Sequence, residues 1–302
     1  MTEIERIDYD EFGLFHENAA EFELPYDGPP TVRREQVEVE GGRSLSALVW
    51  GDGPAEVVFF HGGAQNAHTW DTVVMALGRP AVCVDLPGHG HSDGGRQGMG
   101  GLDANADDLA VVVRALAPEA KVQVGMSLGG MTSIVLTDRH PELVRRLVLV
   151  DVTPGVNEHK ANDIIAFIDG PESFPSFAEI LERTVQFNPT RSASSLRRGI
   201  LHNAVQREDG SWVWRYQRFR GEELEGSERL LDRTDLWDAV ERIEVPITLV
   251  RGMRTGSVVD DDDVAELRRR RPGAEVVEFA ESGHSVQGDQ PRELAALHAG
   301  LL

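Results

Sequence analysis

Short, mainly apolar runs, spaced by longer amphipathic stretches, constrain this chain more than any other feature. The runs are Val57–Phe60, Ala81–Val84, Val122–Val124, Leu147–Val150, Ile247–Val250 and Val276–Phe279. Apolar residues without alternation suit strands buried on both faces, as in a parallel sheet covered by helices. Between the runs, Leu109, Val112, Val113 and Leu116 share one face of a helix over 104–116, and 261–271 and 291–301 also read as helices. This rhythm predicts an α/β fold with a doubly wound, mostly parallel sheet. Residues 35–50 alternate instead: Val37 and Val39 are answered by Leu45, Ala47 and Val49 across Gly41-Gly42. That pattern predicts a two-stranded hairpin.

The rhythm stops between about 155 and 237, a stretch holding Phe167, Phe174, Phe177, Phe187, Trp212, Trp214, Tyr216 and Phe219. It is too long for a structureless loop. A mostly helical insertion is expected there, with a short strand where Ser211–Tyr216 alternates. Residues 1–34 are acidic, lack periodicity and pass through Gly28-Pro29-Pro30, so they read as an arm. The expected organisation is an arm at 1–34, a core at 35–154 and 238–302, and an insertion at 155–237.

Charge narrows the function. The 302 residues include 30 basic and 51 acidic side chains, a net charge of −21. Such a surface repels phosphate backbones and anionic lipid, which leaves small molecules as the expected partners, not nucleic acid or membrane. The single cysteine, Cys83, lies inside an apolar run. One thiol cannot form an intrachain disulfide or a cysteine-based zinc site, and a buried, inert role is expected of it. The first residues carry Glu3, Glu5, Asp8, Asp10 and Glu11 with no apolar segment. No signal peptide is therefore expected, and the cytoplasm is the expected location. The oligomeric state is not legible.

Three segments carry chemistry. Gly125-Met126-Ser127-Leu128-Gly129 follows the run 122–124 and precedes an apolar-periodic stretch, 130–137. A Ser on such a strand-turn-helix elbow is a candidate nucleophile, exposed at the strand's end with amide N–H groups around it. Elsewhere the same pattern would be a Gly-rich helix entry with an ordinary N-cap. His61-Gly62-Gly63-Ala64 follows the run 57–60. Its turn can aim an N–H at an oxyanion, with Gly63 preferred, Gly62 and Ala64 open, and Leu128 as the second donor. Glu281-Ser282-Gly283-His284-Ser285 follows the last run and offers His284 as the base.

Together these segments resemble the α/β-hydrolase fold superfamily. The likeness rests on His61-Gly62-Gly63, Asp85-Leu86-Pro87-Gly88-His89-Gly90-His91-Ser92, Gly125–Gly130, and Gly283-His284 followed by Asp289 and Pro291. It covers about residues 35–302 and implies that the insertion is a cap domain. It also implies a Ser nucleophile. Haloalkane dehalogenases and epoxide hydrolases carry Asp at that position, so Ser127 argues against both. The resemblance implies an esterase, a lactonase, or a related acyl or C–C bond hydrolase that needs no metal or organic cofactor. The Asp85–Ser92 segment is mainly structural in the family, so His89 and His91 receive no catalytic role. Met126 and the aromatic Trp212 and Trp214 are expected to line a covered pocket, although many of the cap's aromatics suit its own small core equally well.

The acid of the triad is less direct. Relatives often place it after a strand-Arg-Gly segment, but here Val250-Arg251-Gly252-Met253-Arg254-Thr255 runs on into Gly256. Asp151, at the end of the run 147–150, and the acids Asp260–Asp263 both satisfy the order Ser, Asp, His. Asp151 is preferred because it follows a core strand directly; Asp260 is the reserve, since acids at a helix start have a capping role of their own. Some relatives, certain haloalkane dehalogenases among them, resemble the Asp151 arrangement. The same scaffold also serves acyl transfer, lyase or cyclase chemistry, and ligand reception with little turnover. Finally, residues 183–220 hold Arg183, Arg191, Arg197, Arg198, Arg207, Arg215, Arg218 and Arg220 against only Glu208 and Asp209. Such a cap would dock on an acidic body, or use an Arg to bind a substrate carboxylate.

Overall fold

The structure is a computed structural model that describes residues 6–95, 101–188, 191–217 and 233–302. Its centre is an eight-stranded sheet made of β1 (Val32–Val39), β2 (Arg43–Trp50), β3 (Val57–Phe60), β4 (Ala81–Val84), β5 (Val122–Met126), β6 (Leu147–Val150), β10 (Ile247–Gly252) and β11 (Glu275–Phe279). The spatial order is β1-β2-β4-β3-β5-β6-β10-β11. Pairing is antiparallel for β1 with β2 and for β2 with β4, and parallel from β4 onward. Gly41 and Gly42 turn the first hairpin, both at positive φ, which glycine adopts without a Cβ penalty.

Alternation along each strand feeds two apolar layers. Val58, Phe60, Val82, Val84, Leu147 and Leu149 pack under α3 (Leu102–Leu116), α4 (Leu128–Arg139) and α8 (Leu236–Arg242). Val57, Phe59, Ala81, Cys83, Val148 and Val150 face the opposite layer, with α1 (Phe15–Glu21), α2 (Asp71–Leu77) and α11 (Pro291–Leu301). Burial on both faces is why these runs lack alternation, since each buried Val, Leu or Phe is worth about 1.5–3 kcal/mol. The run 276–279 departs from that expectation. As β11 it lies at the sheet edge, and only Phe279 is fully buried.

The segment after β6 contains α5 (Asn162–Ile168), α6 (Phe177–Phe187), α7 (Ala193–Asn203) and a small sheet of β7 (Ser173–Phe174), β9 (Trp212–Trp214) and β8 (Ala204–Gln206), in that order. It has its own core, built on Phe174, Ile180, Ile200, Leu201 and Trp212. Phe219, Arg218 and Arg220 lie outside the described residues. The core is extended at its C-terminal end by α9 (Asp261–Arg270) and α10 (Val286–Asp289).

Residues 6–22 bind the two parts together. Phe15 stacks edge-on against Trp50 of β2, with ring centres 5.1 Å apart. Glu17 and Glu21, on the same short helix, pair with Arg197 and Arg198 of α7. Glu11 reaches Arg34 of β1 and accepts from His68 Nε2 at 3.1 Å, while His68 Nδ1 lies 2.9 Å from Asp71 Oδ2. Burial alone would lower the pKa of His68. The charge and hydrogen bond of Asp71 and the bond to Glu11 outweigh it and raise the imidazole to about 9. Burial pushes Glu11 up, but its bonds to His68 and Arg34 win and bring it down to about 2.

These directions set a pH window. A histidine raised on folding contributes stability below its ordinary value of about 6.5, and that contribution is lost as pH rises through 9. The lowered Glu11 contributes above its ordinary value and loses that contribution as pH falls through 2. His68→Gln is therefore expected to be less stable than the natural chain at pH 6, with a shallower decline between pH 6.5 and 9. Denaturant midpoints across that range measure it, and parallel curves would refute the account.

Candidate active site

Ser127 ends β5 and Asp151 follows β6, its neighbour in the sheet. Met126 pairs with Val150, so the next residue of each strand emerges at the same level. The ladder continues beyond the strands: Ser127 N–H donates to Val150 O at 3.3 Å and Asp151 N–H to Val250 O at 2.7 Å. Both residues then turn sharply, Ser127 at φ +51° and Asp151 at +47°. Ala64, after β3, has φ +59°. Three of the four non-Gly residues with positive φ among the described residues thus sit on this edge. Each such position costs about 1–3 kcal/mol and persists only where the surroundings enforce it.

The surroundings of the elbow are glycine. Gly129 N–H donates to His61 O at 3.1 Å, and a Cβ on Gly129 would lie 2.5 Å from that oxygen. A Cβ on Gly125 would lie 2.6 Å from Gly129 O. Helix α4 can therefore start directly against the end of β3, and this close approach brings the His61–Ala64 turn beside Ser127.

The amides of that turn divide cleanly. Gly62 N–H donates to Gln65 Oε1 at 3.1 Å, and Ala64 N–H to His89 Nε2 at 3.1 Å. Gly63 N–H has no acceptor among the described residues, and neither has Leu128 N–H at the start of α4. His61 Nε2 in turn accepts from Leu86 N–H at 2.9 Å, which leaves His61 and His89 as buried props for neighbouring turns. Burial pushes both imidazoles down, His61 to about 3.

His284 Nδ1 lies 2.9 Å from Asp151 Oδ2. The Asp151 carboxylate is fully buried and surrounded by donors: Val258 N–H at 3.0 Å on Oδ2, then Gly252 N–H at 3.0 Å and Ser257 Oγ–H at 2.6 Å on Oδ1. The loop after β10, where the family's usual acid is missing, thus wraps the acid that comes from β6. Asp260 is placed elsewhere. It caps α9, accepting from Asp263 N–H at 2.9 Å, and pairs with Lys160 at 2.8 Å. The structure brings Asp151 to His284 and keeps Asp260 in its capping role. Ser257 was not singled out by sequence reading; nothing in its spacing marks a residue that reaches Asp151 only through loop closure.

Ser127 and His284 open on one cavity of about 480 Å³, with no hydrogen bond between them in this structure. Met126 and Trp214 line the cavity, beside Ile164, Phe167, Ile168 and Phe187. Trp212 does not. It is 3% exposed and packs edge-on against Phe177 with ring centres 5.1 Å apart. Trp212 and Trp214 share a face of β9, but two residues of strand separate them by about 6–7 Å, enough to place Trp212 in the small core under α6. The same lining also carries polar side chains, Asn18, His68, Asp71, Arg191, Arg198 and His202.

His68, Asp71 and His202 offer ligand-type atoms within 4.8 Å of one another, a grouping that sequence reading did not find. The atoms are engaged: His68 bridges Asp71 and Glu11, His202 Nδ1 lies 2.8 Å from Tyr9 Oη, and Arg34 Nη2 stands 3.5 Å from His68 Nε2. The two imidazoles stack at 3.8 Å, so their in-plane lone pairs run side by side instead of converging.

Comparison with known proteins agrees with this fold. Residues 57–297 match the model of the alpha/beta hydrolase family. The chain belongs to that family. Across its whole length it is 45% identical to Esterase Rv0045c of Mycobacterium tuberculosis, of which it covers 99%. A crystal structure of that esterase aligns with a TM-score of 0.81 at 44% identity, over 98% of this chain and 99% of the other. A 2-(acetamidomethylene)succinate hydrolase of Mesorhizobium japonicum is 28% identical over 84% of this chain and 90% of its own. Among the described residues of this alpha/beta hydrolase, no helix is long and apolar enough to cross a membrane.

The close approach of β10 to the His284 loop gives a test of the packing. A Cβ on Gly252 would fall on the carbonyl oxygen of Gly283, next to His284. Gly252→Ala is expected to cost about 1–3 kcal/mol, as overpacking against backbone does. The denaturation midpoint reads this directly, and an unchanged midpoint would mean the loop yields freely.

Proposed function

We propose that this chain hydrolyses carboxylic esters or lactones through an acyl-enzyme on Ser127. The observation that carries the reading is the Asp151–His284 hydrogen bond, on the same cavity edge as the strained Ser127 elbow. The full-length likeness to Esterase Rv0045c supports the choice of an ester as substrate. His284 Nε2 takes the Ser127 proton as Oγ attacks the carbonyl carbon. Asp151 holds Nδ1–H, which fixes the tautomer and stabilises the imidazolium that forms. The tetrahedral oxyanion is received by the uncommitted N–H groups of Gly63 and Leu128. His284 then protonates the leaving alcohol. Water, deprotonated by the same imidazole, attacks the acyl carbon and regenerates Ser127. Each step uses groups of this chain and water.

Residues 155–237 act as a cap in this reading. Ile164, Phe167, Ile168, Phe187 and Trp214 give the cavity an apolar wall that excludes water from the acyl-enzyme. The substrate in this reading is a small molecule.

Two experiments test the assignment. Ser127→Ala is expected to remain folded and to lose p-nitrophenyl butyrate turnover by several orders of magnitude, with no fluorophosphonate adduct by intact mass. Near-normal turnover would sink the proposal. Asp151→Asn is expected to lower kcat about a thousandfold or more, while Asp260→Asn keeps most activity. The reverse pattern would move the acid to the loop after β10.

A further inference from the structure

The cavity lining holds two arginines in different states. Arg198 is buried and neutralised, paired with Glu17 and Glu21 of α1. Arg191 has no carboxylate within 4 Å among the described residues. One of its terminal amino groups bonds to Ser195 Oγ, and its Nε is buried without an acceptor. The guanidinium lies against Gly288, where a Cβ would stand 2.9 Å from its Cζ. Gly288 is four residues past His284, and both line the cavity with Ser127. Asp289 and Glu21 act on Arg191 electrostatically, but neither forms an ion pair with it within 4 Å, and Asp289 is engaged instead by Gly283 N–H at 3.0 Å.

A guanidinium taken out of water without a full counter-charge is costly, and that cost is relieved when an anion arrives. Arginine presents a planar fork that matches a carboxylate. We propose that Arg191 binds an ionised carboxylate of the substrate, so that the preferred esters carry a carboxylate at the end remote from the scissile bond. This rests on the hydrolase reading above. It assigns the lining residues different duties: the apolar side chains take hydrocarbon, and Arg191 takes the charge. The other described arginines of this part are occupied otherwise or lie off the cavity: Arg183 bonds to Ala166 O and Phe167 O, and Arg197 pairs with Glu17.

The test uses esters matched except for charge. On the acyl side, the p-nitrophenyl monoester of adipate is compared with p-nitrophenyl hexanoate. On the alcohol side, 4-acetoxybutanoate is compared with butyl acetate, followed by proton release. Arg191→Gln is expected to lower kcat/KM for the charged member of at least one pair tenfold or more beyond its effect on the neutral member. Arg191→Lys should recover part of that ratio. In the natural chain the same charged-to-neutral ratio should fall as sodium chloride is raised from 20 to 500 mM, a measurement independent of whether any variant folds. Adipate binding to Ser127→Ala, by calorimetry, reads the site without catalysis and should be lost in Ser127→Ala/Arg191→Gln. Adipate binding that depends on Arg191, with no ester turned over by the natural chain, would defeat the hydrolase reading and keep the anion site. Ester turnover with equal effects on both members of each pair, a salt-independent ratio and no adipate binding would overturn the role of Arg191 and leave the hydrolase reading standing.

Discussion

Val150 O accepts the backbone N–H of Ser127, and Val250 O accepts that of Asp151. These two ladder bonds, one strand apart, bring the ends of β5, β6 and β10 level at the carboxyl edge of the sheet. Everything placed on that edge depends on the parallel register. A shift of one residue between β5 and β6 would turn Ser127 or Asp151 toward the apolar layers, because successive side chains point to opposite faces. The register is held by Val148 and Val150 on one face and Leu147 and Leu149 on the other, so the same residues that build the core also align the site.

The edge is also where the backbone is least relaxed. Ser127, Asp151 and Ala64 all sit at positive φ, and each turn is enforced by a neighbour. Gly129 docks on His61 O, Asp151 is surrounded by donors from the loop after β10, and Ala64 N–H is tied to His89. Strain of this kind suits a site in which donors must be set before the substrate arrives. The buried imidazoles of His61 and His89 belong to that scaffold, which accounts for two of the most motif-like histidines of the chain without giving them chemistry.

Charge organises the rest. A chain of net −21 carries a basic stretch after β6, and Arg197 and Arg198 of that stretch are met by acids of α1. The N-terminal residues are therefore more than a tail. Phe15 anchors on the sheet while Glu17 and Glu21 hold α7, so the segment clasps the part of the chain that walls the cavity. Arg191, which lines the same cavity as Arg198, forms no such ion pair among the described residues.

The alternation of apolar runs with amphipathic helices was enough to read the mostly parallel sheet and the strand-turn-helix elbow at Ser127, because burial on both faces leaves a periodic mark on adjacent residues. The candidate base His284 and the preference for Asp151 were legible for a related reason: each follows a strand, and chain order ranks them. Distances through space leave no such mark. Which of Gly62, Gly63 and Ala64 keeps a free N–H depends on Gln65 and His89 folding back. Ser257 reaches Asp151 across 106 residues of chain. Trp212 and Trp214 look equivalent in sequence, yet one fills a small core and the other faces the cavity. Periodicity reports which face of an element is apolar, and only the packing of elements against one another decides which atoms meet.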